Sequence, residues 1–86
     1  MMEKLSSLEI RILGSLIEKS LTTPEYYPMT PNALTNACNQ KSNRNPVTDY
    51  SESDVMNGLS SLMQKGFAGK VISEGARVVK YRYVLP

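Results

Sequence analysis

Apolar residues recur at helical spacing near the start of the chain, at Leu8, Ile12, Leu13, Leu16 and Ile17. Ser6 followed by Glu9 forms a capping box, in which each side chain satisfies an unpaired backbone N–H at the helix start. Leu5 before the cap and Ile10 within the helix fit the hydrophobic staple that accompanies such a box. With Ile10 included, the apolar arc is wide, and Arg11, Ser15, Glu18 and Lys19 fill the remainder. An arc of that width predicts a helix touched from two sides, by two elements of its own domain or by one element and a partner. The helix should fade by Thr22-Thr23, because Pro24 disfavours helical geometry in the residue before it.

Glu25-Tyr26-Tyr27-Pro28-Met29 reads as an extended segment with room for a single strand bridge. Thr30-Pro31 supplies an N-cap and a first-turn proline for a short second helix, with Leu34, Ala37 and Cys38 on its inner face. The stretch from Asn39 to Tyr50 is polar, rich in Asn and without period, which predicts a long loop. Ser51 with Asp54 caps a third helix that buries Val55, Met56, Leu59, Leu62 and Met63 and stops at Gly66. Phe67 to Ser73 and Arg77 to Leu85 then read as a β-hairpin. Pairing Ser73 with Arg77 sets Phe67, Gly69, Val71, Val79, Tyr81 and Tyr83 on one face, and Ala68, Lys70, Ile72, Val78, Lys80 and Arg82 on the other. Three helices followed by a hairpin predict an α+β winged helix-turn-helix, with a three-helix core and a C-terminal two-stranded wing.

Several of these segments resemble a known family. The run from Leu16 to Pro28 (LIEKSLTTPEYYP), Asn32-Ala33-Leu34, and Ala37 to Arg44 (ACNQKSNR) followed by Pro46-Val47 are similar to the YceH-like family of uncharacterised bacterial proteins. The similarity covers most of the chain. It implies two winged-helix domains in tandem, of the kind usually linked to DNA binding, with no established biochemical activity. Residues 1–86 correspond to the first of these domains, so the chain is expected to be an excised N-terminal domain or a short relative.

Length and composition narrow the chemistry. At 86 residues and 41% apolar, one domain with a small core is expected. There is no His and one Cys, which leaves no set of ligands for the usual zinc sites and no Ser-His-Asp or Cys-His pair. No Gly-rich phosphate loop is present either, so a non-enzymatic protein without cofactor or metal is expected, with no small-molecule ligand evident. Cys38 reads as inert packing in the second helix. Charged residues break every long apolar window and no secretory signal opens the chain, so no membrane partner and a cytoplasmic location are expected.

The formal charge of +2 is unevenly spread. Through Asn43, Lys4, Arg11, Lys19 and Lys41 balance Glu3, Glu9, Glu18 and Glu25. From Lys65 onward, Lys65, Lys70, Arg77, Lys80 and Arg82 face Glu74 alone. Cations grouped on a wing can meet phosphates and release counterions, although Lys and Arg also guard strand edges against pairing. On the third helix, Ser53, Asn57, Ser60, Ser61 and Gln64 form an uncharged face able to hydrogen-bond bases. Glu52 and Asp54 at its first turn would repel phosphate, yet acids belong there through capping and the helix dipole. Lys41 and Arg44 in the loop are candidates for backbone contact, while the loop asparagines suit Asx-turns that fold the loop on itself. Two functions emerge: binding of double-stranded DNA by the third helix, wing and loop cations, as in a transcription regulator, or protein contact, including a homodimer through the first helix or the wing tyrosines.

Overall fold

In a computed structural model, residues 4–40, 47–72, 75 and 77–85 are described. The three expected helices form where their local signals place them: α1 is Ser7–Thr22, α2 is Pro31–Cys38 and α3 is Glu52–Gln64. Both expected capping boxes close. The Ser6 N–H donates to Glu9 Oε1 at 2.7 Å and the Glu9 N–H donates to Ser6 Oγ at 3.1 Å. Ser51 and Asp54 repeat the exchange at the start of α3. Thr30 caps α2 by accepting the Ala33 N–H, with Pro31 in the first turn.

The three helices pack on one another around Ile12 and Leu16 of α1, Leu34 and Cys38 of α2, and Val55, Leu59 and Leu62 of α3, all fully buried. Cys38 is a free thiol inside this core. α1 and α3 pack closely at Gly58: a Cβ there would lie 2.6 Å from Ile12 Cδ1 and 2.9 Å from Leu8 Cγ. Glycine is thus the side chain that lets α3 sit against α1.

Between α1 and α2 the chain makes a single 3₁₀ turn, Pro24–Tyr26, rather than running extended throughout. The Tyr27–Pro28 peptide is cis. Met29 then forms the anticipated single bridge, to Tyr81. Its N–H donates to the Tyr81 carbonyl at 3.0 Å, and the Tyr81 N–H donates to the Met29 carbonyl at 2.7 Å. The hairpin consists of β1 (Ala68–Val71) and β2 (Lys80–Tyr83), shorter than the expected strands. The result is three helices with a C-terminal antiparallel sheet, a winged-helix-like arrangement.

The hairpin register differs by one residue from the one expected. Ala68 pairs with Tyr83, Gly69 with Arg82, Lys70 with Tyr81 and Val71 with Lys80. The cause lies in how α3 ends. Gly66 adopts φ +86°, the Phe67 N–H donates to the Leu62 carbonyl, and the Gly66 N–H donates to the Met63 carbonyl. These two bonds are a Schellman closure. The Phe67 N–H is thereby committed to the helix cap while its carbonyl accepts the Val84 N–H at 2.8 Å, and its side chain packs against the core from there. Ala68, not Phe67, becomes the first inward residue of β1, and it is buried. β2 keeps its strong alternation, Tyr81 in and Lys80 and Arg82 out. The weakly patterned β1 follows the direction in which the helix releases it. Lys70 therefore shares a face with Tyr81, not with Lys80 and Arg82.

A second departure concerns α1. Leu5 packs against the core, but Ile10 is 58% exposed, so the expected staple leaves Ile10 in solvent. Ser15 and Glu9, expected among the outer polar positions or as a cap alone, are buried.

Candidate nucleic-acid interface

The outward row of α3 consists of Ser53, Asn57, Ser60 and Gln64, all exposed. Their spacing of four, three and four residues keeps them on one side of the helix, opposite Val55, Leu59 and Leu62. The row has no charge. At its N-terminal end Glu52 and Asp54 are also exposed. The Asp54 carboxylate is engaged in the cap, accepting the Ser51 N–H at 3.1 Å.

Ser61 does not belong to this row. It is half-buried, and its hydroxyl donates to Glu9 Oε2 across the α1–α3 interface. Lys65, counted in the sequence among the wing cations, is also committed elsewhere. Its Nζ lies 2.9 Å from Glu9 Oε1 and donates to the Lys4 carbonyl as well. Glu9 thus ties the start of α1 to the last turn of α3. The Ser6 backbone N–H, the Ser61 hydroxyl and Lys65, in that order, hold its carboxyl down at about 2, against the opposing effect of burial.

On the wing, Lys80 and Arg82 project from the outer face of β2 and are exposed, as is Arg77 ahead of the strand. Lys70 is exposed at the far end of β1 but on the tyrosine side. The tyrosines themselves turn inward. Tyr81 is buried, and the Tyr83 ring lies 6.1 Å from that of Tyr27, whose hydroxyl accepts the Tyr83 N–H at 2.8 Å. Of the two wing tyrosines, Tyr81 is thus enclosed, while Tyr83 stays half-buried beside Tyr27.

Lys41 and Arg44 lie outside the described residues, as do Asn43 and Asn45. Asn39 performs the self-folding role. Its Oδ1 accepts the Tyr50 N–H at 2.9 Å and the Thr48 hydroxyl at 3.0 Å, and its Nδ2 donates to the Tyr50 carbonyl at 2.8 Å. This clamp delivers the chain to Ser51 and the start of α3. The sequence showed an Asn-rich loop but not which asparagine would close it.

Among the described residues no helix is long and apolar enough to cross a membrane. A family model described as "Protein of unknown function, DUF480" matches residues 5–86. A UPF0502 protein of Geotalea daltonii is 59% identical over 81 residues, covering 94% of this chain and 37% of the relative. UPF0502 proteins of Opitutus terrae and Aliivibrio fischeri are each 53% identical, covering 90% and 91% of the chain and 34% and 36% of the relatives. The chain spans little more than a third of the length of the curated relatives it matches.

Proposed function

The chain belongs to the DUF480 family of bacterial proteins, and we propose that within it this domain is a non-enzymatic module that binds double-stranded DNA in the cytoplasm. The observation that carries the reading is the row Ser53, Asn57, Ser60 and Gln64 on α3. A solvated helix face ordinarily holds Glu and Lys; this one is uncharged and composed of side chains that hydrogen-bond base edges or phosphates. α3 would enter the major groove, with Lys80, Arg82 and Arg77 holding the backbone and Lys70 adding to the field. A regulatory role follows only by analogy with the fold class, and what the much longer relatives do as whole proteins extends beyond this module.

Fluorescence anisotropy with duplex DNA of random sequence tests the reading. With three to four of these cations on phosphates, log K is expected to fall with log salt at a slope of about −3 to −4. Replacing Lys80 and Arg82 together by Ala should make that slope shallower by about 2. Undetectable binding at low salt, or a slope indifferent to the double substitution, would overturn it. A second reading, contact with another protein, rests on a separate observation: the apolar residues that α1 turns to solvent.

A further inference from the structure

α1 is patterned against expectation. Its inward and lateral positions include Glu9 and Ser15, both buried, Arg11, whose guanidinium donates to the Cys38 carbonyl, and Lys19, whose amine donates to Gln40. Its outward side carries Ile10, Gly14 and Leu21, with Ile17 half-exposed beside them. Ile10 is 58% and Leu21 76% exposed. At about 100° per residue these four positions fall within an arc of roughly 60°. Helices that meet only water do not gain from such a row.

The row has a second property. Its spacing of four, three and four residues is unchanged when the helix is reversed. Laid antiparallel on itself about the point midway between Gly14 and Ile17, the row sets Ile10 opposite Leu21 and Ile17 opposite Gly14. Gly14 has nothing within 4 Å of where its Cβ would be, so it offers a recess for the opposing Ile17. Arg11 and Glu18 flank the row on one side. Reversal keeps these flanks facing and brings Arg11 toward Glu18 of the second copy, a pairing of opposite charges. Self-complementarity of this kind is what a two-fold interface requires.

We propose that a second copy of this chain docks antiparallel along α1 through Ile10, Gly14, Ile17 and Leu21. The proposal does not depend on DNA binding. The row is only about 17 Å long, so the dimer is small and reversible, half-formed in the range of roughly 10–1,000 µM.

Sedimentation equilibrium of the 86-residue chain from 10 µM to 1 mM, without DNA, tests it. A monomer–dimer equilibrium is expected, with its Kd raised at least tenfold by Ile17→Glu and by Leu21→Lys. Helical circular dichroism verifies that each variant is folded; Leu21, the more exposed, serves if Ile17→Glu is not. Gly14→Leu discriminates specific packing from stickiness. It adds apolar surface and helix propensity, yet fills the recess, so it should weaken the dimer. A wild-type chain that stays monomeric at 1 mM, association indifferent to Leu21→Lys, or a dimer strengthened by Gly14→Leu would each overturn the proposal. None of these results bears on the anisotropy slope, so the two readings fail separately.

Discussion

Glu9→Ala is expected to lower the melting temperature by roughly 10–20 °C, corresponding to a loss of about 2–4 kcal/mol. The loss has three sources, all meeting at one carboxylate. The α1 capping box opens, the Ser61 hydroxyl loses its acceptor, and Lys65 loses the opposite charge beside its Nζ. Glu9→Gln separates these contributions, since an amide oxygen can still accept the Ser6 N–H while the charge is gone. The pH dependence identifies the carboxylate. The Glu9 pKa is lowered from 4.5 to about 2, so its stabilisation is fully present above its unfolded value. That stabilisation is lost as pH falls toward 2. Urea denaturation at several pH values should therefore show the gap between wild type and Glu9→Gln narrowing from pH 5 to pH 2. A gap constant across that window would remove Glu9 from the account.

Gly58→Val is expected to cost about 3 kcal/mol, measured as a lower urea midpoint. Even a methyl at this position would come within 3 Å of Ile12 and Leu8, and valine adds two further carbons to that crowded contact between α1 and α3. Helix propensity alone predicts the opposite sign, a gain of up to about 1 kcal/mol for leaving glycine. Gly14 supplies the contrast within the same protein. With open space around it, Gly14→Ala should gain about what propensity allows. If Gly58→Val left the midpoint unchanged, the α1–α3 spacing would not be set by that contact.

The elements that could be read in the chain were those whose causes are local. Ser6 with Glu9, Thr30 with Pro31, and Ser51 with Asp54 each act within three or four residues, and each starts a helix as expected. The Met29 bridge was foreseeable from the segment between two prolines, although its partner Tyr81 was not. Alternation failed in β1, where Ala68, Gly69, Lys70 and Val71 carry too weak a pattern to choose a register, so the geometry of Gly66 and Phe67 chose it. The candidate interface was legible where residues are exposed for want of anything inside to meet, as with Asn57 and Gln64. It was misread at Ser61 and Lys65, whose partner Glu9 stands 52 and 56 positions away. Nothing in a linear pattern distinguishes a lysine on a wing from one folded back on a distant carboxylate.

The bridge between Met29 and Tyr81 changes what kind of object the wing is. Both backbone hydrogen-bonding groups of Tyr81 are spent on a residue that precedes α2, while its ring is buried in the helical core. The hairpin is consequently pinned at Tyr81 to the segment that leads into α2. Lys80 and Arg82, on either side of Tyr81, have their main chain oriented before any ligand arrives. In the proposed DNA contact only side-chain freedom would remain to be lost, and preorganisation of that sort lowers the entropic cost of binding. If Lys80 and Arg82 meet phosphates as proposed, loosening Met29 would weaken that contact without removing either charge, because the two would no longer be held in fixed relation.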